Sequence, residues 1–382
     1  MADPFFSYTV NISPQQKLLL QALLAVDKDF VRLWKKYKKE ALDYRVADEE
    51  TLRLIGSAYK RLEALSPKDS WLGAVKSAYQ HNWIRNNLIL SDALEAHKIL
   101  KKNKIPHLFL KGVALIHQYY GGDLGIRSLS DYDILVSLKD FKKAAMILRN
   151  QEWEVLDSLE AFSPVFYHEI PLEKHDILLD LHTSLFLEGP TNDAKLFVPK
   201  AVNVRVRGHV LKTLSPTDQL MFVIKHGVGW GGSGTARWVL DAVKIIEQSK
   251  IDWERLYKIA VAKEVTINLA VGLDYLSKEF GVEIPNTLIQ RLKTKNIPEL
   301  QHHFFALQMT DAFSSPVSTF RYYWIVFLMK TQGKSLKTKL KALKEYLLYL
   351  CQVEHLWKIA PVFIWRIGAI LTRGLIFKLK LH

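Results

Sequence analysis

The chain has 382 residues, of which 49% are hydrophobic, which is enough for two or three domains with a sizeable core. Its formal charge of +14 favours an anionic partner: a nucleotide, a nucleic acid, an acidic peptide or a membrane surface. The single cysteine, Cys351, excludes an internal disulfide. With neither a signal-peptide pattern nor an apolar run of about 20 residues, the sequence predicts a cytoplasmic protein that has no membrane-spanning helix.

Residues 1–104 are predicted to form helices. The segment Ser13-Pro14-Gln15-Gln16 is typical of a helix start, because serine caps the first turn and proline fits the first helical position. A long helix is predicted at about 70–102, where apolar residues recur at helical spacing. Its apolar stripe contains Ile89, Ala93, Ala96 and Leu100. We therefore expect a helical region before the first strand.

Residues 105–214 alternate between segments typical of strands and segments typical of helices. The predicted strands are 107–111, 131–137, 153–156, 165–170 and 176–182, and the predicted helices are 113–120 and 138–150. Strands 165–170 and 176–182 are expected to form a hairpin. A second hairpin, with its turn at Gly208-His209, is expected at the edge of the sheet. This region is predicted to be the catalytic core.

The remaining chain, divided into residues 215–315 and 316–382, is predicted to be helical, and the last part is strongly basic. Residues 227–232 match Gly-x-Gly-x-x-Gly, but a predicted helix precedes them where a dinucleotide site needs a strand. A mobile loop beside the candidate site is the favoured interpretation. A helix at 361–377, which carries Arg366 and Arg373, is expected to pack against the protein, in preference to peripheral contact with an anionic membrane.

The strongest chemical signal is Asp131-Tyr132-Asp133, which leads into an apolar strand. Side chains alternate along a strand, so Asp131 and Asp133 are predicted to lie on one face, where a divalent cation would relieve their repulsion. Asp180 lies on the polar side of another alternating segment, 174–182. If the two strands are neighbours, three carboxylates converge on one site suited to metal-assisted phosphoryl or nucleotidyl transfer.

A basic cradle for phosphate is predicted next to these carboxylates. Gly112 comes at a strand-to-helix junction, where backbone N–H groups and the helix dipole favour anions. Lys111 and Arg127 add positive charge. His182 shares the face of Asp180, and both a contact with phosphate or acceptor and a purely structural role at the strand end stay open.

A zinc site is the competing interpretation of the histidines in this region. It would use His168, His175, Asp180 and His182, since histidine and carboxylate sets bind zinc. His175 and His182 are seven residues apart, so on a regular strand they would face opposite ways. The zinc interpretation is therefore not favoured.

The ordered motifs Leu-Lys-Gly at 110–112, Arg-x-x-x-Asp-x-Asp at 127–133 and Asp-Leu-His at 180–182 resemble those of the nucleotidyltransferase superfamily. More narrowly, they resemble the bacterial "uncharacterised nucleotidyltransferase" family, over about residues 92–276. The downstream matches are Leu214-Ser215-Pro216-x-Asp218, His226 and Arg237-Trp238-x-x-Asp241. The superfamily's Gly-Ser turn is absent, because Val113 follows Gly112, so Lys111, Arg127 or Ser130 would have to compensate.

The resemblance implies an α+β fold: a nucleotidyltransferase-like mixed sheet with flanking helices and helical regions at both ends. It implies Mg²⁺ (or Mn²⁺) held by Asp131, Asp133 and Asp180. Nucleotide binding is expected from Lys111, Gly112, Arg127, Ser130, His182, His226 and Asp241. The implied reaction moves an NMP group from an NTP to a hydroxyl or phosphate acceptor, with a modified peptide, sugar or small molecule favoured. Two alternatives stay open: a toxin-like enzyme that acts on tRNA, and a non-catalytic binding module.

Overall fold

A mixed sheet of seven strands organises the part of the chain that the structure, a computed structural model, describes: residues 8, 10–41, 48–191, 193–229, 236–310 and 315–359. The strands are β1 (His107–Leu110), β2 (Asp131–Val136), β3 (Glu154–Val155), β4 (Glu169–Lys174), β5 (Ile177–His182), β6 (Val202–Val206) and β7 (His209–Thr213). Their order is β3-β4-β5-β2-β1-β7-β6. The pairs β2–β5 and β1–β7 are parallel, and the other pairs are antiparallel.

Helices precede, flank and follow the sheet. Before it lie α1 (Pro14–Leu24), α2 (Asp27–Ala41), α3 (Glu49–Ile55), α4 (Tyr59–Leu65) and α5 (Leu72–Lys102). Between strands lie α6 (Lys111–Tyr119), α7 (Leu138–Arg149) and α8 (Asp193–Phe197). After it lie α9 (Pro216–Val228), α10 (Arg237–Gln248), α11 (Trp253–Ala262), α12 (Thr266–Phe280), α13 (Asn286–Lys293), α14 (Glu299–Met309), α15 (Pro316–Thr331) and α16 (Leu336–Cys351).

The alternating sequence of β2 gives the sheet two different faces. Tyr132, Ile134 and Val136 are fully buried and share one hydrophobic core with residues of α5 and α7. Asp131 and Asp133 lie on the opposite face, which we call the front face. The front face meets the helices that follow the sheet, since Leu135 belongs to the core that contains buried hydrophobic residues of α9, α10 and α12.

The predicted α+β class is confirmed, as is the capping box of Ser13 and Gln16 at the start of α1. The edge hairpin is also present, with β6 outermost, but its turn lies at Arg207-Gly208, one residue before the predicted Gly208-His209. The division into regions 1–104, 105–214, 215–315 and 316–382 stays a prediction. Among the described residues, no helix has the length and apolarity needed to cross a bilayer. The predicted helix at 361–377 and residues 230–232 of the glycine-rich loop lie outside the described residues.

The predicted strand 165–170 is wrong by four residues, because the observed strand is Glu169–Lys174. The aromatic residues before it pack against α16 and do not pair with another strand: the ring of Phe166 lies 4.3 Å from that of Tyr346, and Tyr167 lies 3.3 Å from Tyr349. Their apolar character therefore reflects helix packing, which alternation alone does not distinguish from a strand.

The loop between α6 and β2 is fixed by polar side chains of α5. Asn86, which is fully buried, donates to the carbonyls of Leu124 (2.6 Å) and Arg127 (2.7 Å) and accepts from the N–H of Leu129 (3.0 Å). Asn82 donates to the carbonyl of Gly125 at 3.2 Å. Since buried backbone groups need partners, these two amides replace the water that a loop would otherwise use.

We predict that Asn86→Ala lowers the free energy of unfolding by at least about 2 kcal/mol, because it leaves buried backbone groups without partners. Asn87→Ala, on the same helix but partly exposed, is the matched control and should change it by less than about 0.5 kcal/mol. Urea unfolding of both variants measures the difference. Equal losses would show that the loop does not depend on Asn86.

Candidate active site

Two neighbouring parallel strands bring the predicted aspartates together on the front face. The register of β2 and β5 pairs Asp133 directly with Asp180, and Asp131 lies two residues earlier on the same face as Asp133. Ligand atoms of Asp133, Asp180 and His182 lie within 4.8 Å of one another. The structure thus places Asp133, Asp180 and His182 in a single cluster, and Asp131 lies next to it on the same face.

The charges in this cluster are strongly coupled. Burial alone would raise the pKa of Asp133, but the Lys111 ammonium at 3.0 Å and the His182 imidazole at 3.1 Å outweigh it and hold that pKa well below its usual range. Burial and the carboxylates of Glu169 and Asp133 raise the pKa of Asp180 to about 7. The cluster therefore holds more carboxylates than the nearby cations neutralise.

Glu169 is a fourth carboxylate, which the sequence did not reveal. The hairpin register pairs it with His182, and its Oε2 lies 3.1 Å from the Nδ1 atom of that histidine. Burial alone would raise the pKa of Glu169, but His168, His182 and Lys111 lower it. Its place depends on the tight turn at His175 and Asp176, both with positive φ, which sets the register of β4 on β5.

The strand-to-helix junction after β1 has the features of an anion site. Lys111, the first residue of α6, has φ of 38°, a strained conformation for a residue with a side chain. No described side chain caps this helix, so its first N–H groups stay available. A Cβ atom at Gly112 would lie 2.5 Å from Leu129 Cδ2 and 3.4 Å from Arg127 Nη1. Only a residue without a side chain fits there unless Leu129 moves.

Arg127 and Asp241, both predicted to bind nucleotide, hold each other. The guanidinium donates to Asp241 through Nε at 2.9 Å and Nη2 at 2.8 Å, and the Tyr120 hydroxyl donates to the same carboxylate at 2.6 Å. Both members of the pair are buried. Arg237, four residues before Asp241, donates instead to the carbonyl of Ser128. The pair therefore joins α10 to the loop before β2.

A narrow cleft of about 70 Å³, which opens to solvent, connects these elements. It brings together most of the predicted site residues, with Asp180 and His182 adjoining through Asp133. The lining residues are Lys111, Gly112, Arg127, Ser128, Leu129, Ser130, Asp131, Asp133, Val223, His226, Arg237, Trp238 and Asp241.

Three residues from α9 and α10 shape the wall opposite the sheet. Desolvation by the surrounding protein and the nearby Lys111 ammonium lower the pKa of His226, although its side chain is exposed at the cleft. Burial and the adjacent Arg127 lower the pKa of Arg237 to about 10. Trp238 is 3% exposed and packs closely over Gly227, so it is part of the core. The cleft is thus lined by cationic side chains, with carboxylates at one edge.

The zinc set of His168, His175, Asp180 and His182 is not assembled. His175 lies on the exposed turn between β4 and β5, while His182 and His168 lie at the other end of the hairpin. The five residues of β5 that lie between His175 and His182 span about 16 Å along the strand. His175 therefore belongs to no metal cluster with the others.

We predict that Asp241→Asn lowers the free energy of unfolding by about 3 kcal/mol, because it leaves the buried Arg127 charge without its partner. The double variant Arg127→Met/Asp241→Leu should recover most of this loss. Asp29→Asn, which breaks the exposed pair with Arg32, is the control and should cost less than about 1 kcal/mol. Chemical denaturation of the three variants measures these changes in the free energy of unfolding. A loss no greater than that of the control would mean that the pair does not hold α10 in place.

Comparison with known proteins identifies the family. The family model described as "Uncharacterised nucleotidyltransferase" matches residues 44–281. A search of curated proteins gave no significant match. The crystal structure of an antigenic nucleotidyltransferase-like protein from Paracoccidioides brasiliensis is similar at 16% identity, over 52% of this chain and 93% of that one, with a TM-score of 0.33. Because the family model spans more than half of the sequence, this chain belongs to the uncharacterised nucleotidyltransferase family.

Proposed function

We propose that the protein is a Mg²⁺- or Mn²⁺-dependent nucleotidyltransferase that moves an NMP group from an NTP such as ATP to a hydroxyl or phosphate acceptor and releases pyrophosphate. Membership of the family supports a transferase in general. The observation that carries the finer proposal is the meeting of Asp131, Asp133 and Asp180 on one face of two paired strands, beside a cationic cleft.

The side chains of the cluster fit a hard divalent cation. Asp131, Asp133 and Asp180 offer carboxylate oxygens, which Mg²⁺ and Mn²⁺ prefer. Burial and Asp133 raise the pKa of Asp131, a sign that the cluster lacks positive charge. The Lys111 ammonium on Asp133 supplies part of that charge. When bound, the metal would polarise the α-phosphate and neutralise the charge that develops during transfer.

The protein's own groups would bind and orient the triphosphate. The Lys111 side chain and the first N–H groups of α6, including that of Gly112, would hold the β- and γ-phosphates. Arg237 and the Ser130 hydroxyl, which line the same cleft, would add donors. Arg127, held in position by Asp241, would add a further positive charge near the phosphates. His182 and His226 complete the proposed contacts with the nucleotide.

The proposed reaction is an in-line displacement at the α-phosphorus. The acceptor oxygen forms a bond to that phosphorus, the bond to the bridging α–β oxygen breaks, and pyrophosphate leaves with the bonding electrons. The acceptor proton passes to the Asp180 carboxylate. Since a divalent cation beside Asp180 would keep this carboxylate ionised, it can act as a base only if the metal also makes the acceptor proton more acidic.

The acceptor is proposed to be a modified peptide, a sugar or a small molecule in the cytoplasm. The excess of 14 positive charges favours tRNA or another nucleic acid as the second candidate. Affinity for RNA that falls steeply with rising salt would support the second candidate. The third possibility is a non-catalytic binding module, which would bind its ligand without turnover. Peripheral membrane contact by the basic C-terminal region would show as binding to anionic vesicles.

We predict that Asp131→Asn reduces NMP transfer at least about a thousandfold, because a lost metal ligand removes about 4 kcal/mol of transition-state stabilisation. The thermal unfolding midpoint should stay unchanged or rise, since the substitution relieves repulsion with Asp133. Asp176→Asn, on the exposed β4–β5 turn, is the matched control and should change neither. A large loss of stability in Asp131→Asn would mean that this carboxylate is structural.

The reaction itself is tested by incubating the protein and cell extract with NTPs labelled at either the α- or the γ-phosphate. Transfer of the α label alone, dependent on Mg²⁺ or Mn²⁺ and lost in Asp131→Asn, is the expected result. Gel and thin-layer separation then show whether the labelled acceptor is peptide, sugar or RNA. Transfer of the γ label would instead identify a kinase and refute the proposal.

A further inference from the structure

A second group of potential metal ligands lies at the open end of the β4–β5 hairpin, next to the carboxylate cluster. It consists of His168, Glu169 and His182, each with one ligand atom, and these atoms lie within 4.8 Å of one another. Two imidazoles and one carboxylate are typical of three-ligand zinc sites, whereas Mg²⁺ prefers oxygen. We propose that these three residues bind a zinc ion, at a site separate from the three aspartates.

The backbone places the three side chains around one point. Glu169 and His182 are directly paired across the hairpin, and the carbonyl of His168 accepts from the N–H of Thr183 at 2.7 Å, which fixes the residue before β4. Glu169 Oε2 lies 3.3 Å from His168 Nε2 and 3.1 Å from His182 Nδ1. Ligands about 2.0–2.1 Å from a tetrahedral zinc are separated by about 3.3 Å, so only small movements are required.

His182 supplies the independent evidence for a ligand. Its side chain is 2% exposed, and its Nε2 contacts Asp133 Oδ1 at 3.1 Å. A carboxylate only accepts, so Nε2 carries a proton. Among the described residues, none forms a hydrogen bond with the buried Nδ1, although Glu169 Oε2 is close to it. A buried nitrogen without a hydrogen bond is rare, and a metal ion at this position would satisfy it.

Asp133 would orient the imidazole of His182 through the ring nitrogen that does not bind zinc. Zinc-binding histidines usually donate their other ring N–H to a carboxylate, which fixes the tautomer and the ring orientation. The Asp133–His182 contact has this arrangement, with Nδ1 turned towards Glu169 and His168. Zinc would also replace the positive charge that a protonated imidazole supplies between two carboxylates. His182 therefore links the two clusters, with one ring nitrogen facing each.

The site is open to solvent on one side. The side chains of His168 and Glu169 are 27% and 36% exposed, while His182 closes the inner side. An ion can thus enter from outside, and a water molecule can take the fourth position. Since neither His168 nor Glu169 lines the cleft, zinc binding does not require the nucleotide.

The test is a titration of the full-length, chelator-treated protein with Zn²⁺ in competition with a chromophoric chelator. We expect one zinc per chain, and X-ray absorption should show two imidazole nitrogens in the first shell. His168→Ala should weaken binding at least tenfold, because even the loss of an orienting partner costs 10–100-fold. His175→Ala is the matched control: the same residue type on the same hairpin, but at the far turn, and it should bind zinc as the unaltered protein does.

A parallel measurement separates this inference from the proposed enzyme. Asp131→Asn should keep zinc affinity within about twofold while it loses Mg²⁺-dependent ATP binding. If the unaltered protein binds zinc but does not bind ATP, the result contradicts the proposed function and leaves the zinc inference intact. The zinc inference is overturned if the unaltered protein binds no zinc, or if His175→Ala and His168→Ala lose affinity equally.

Discussion

Carboxylates crowded on one face of a buried sheet are the constraint on which the rest of this structure depends. The register of β2 and β5 fixes Asp133 and Asp180 side by side. Neither residue could move to the other face of the sheet without breaking the strand pair. Their repulsion must be balanced by positive charge. Lys111 from the start of α6 and His182 from β5 provide part of it. The strained backbone at Lys111 is consistent with a residue held at this place by its role.

The helices around the sheet serve to fix the loop that leads into β2. Asn86 of α5 satisfies three backbone groups of this loop, and the Arg127–Asp241 pair fastens the same loop to α10. A buried ion pair gains little net stability, but losing one partner is costly, so it favours a single arrangement. Segments far apart in sequence therefore determine where Asp131 and the cleft lie. The match to the family model, over residues 44–281, includes these segments.

Strand periodicity was sufficient to predict the faces of Asp131, Asp133 and Asp180, because parity along a strand is a local property. The position of Glu169 could not be derived in this way. It depends on the turn at His175 and on aromatic residues that pack against α16, and both are tertiary features. Arg127 and Asp241 were recognised as site residues by resemblance, but their mutual pairing joins positions 114 residues apart. Charge type alone does not reveal which of several carboxylates a given arginine contacts.

The carboxylates and the cationic cleft are proposed to bind a nucleotide through a divalent cation. Isothermal titration of the protein with ATP, with and without Mg²⁺, tests this binding most directly. We expect saturable binding in the presence of Mg²⁺ and a loss of at least tenfold in affinity when EDTA removes the metal. No binding of any NTP, or equal affinity with and without the metal, would contradict it.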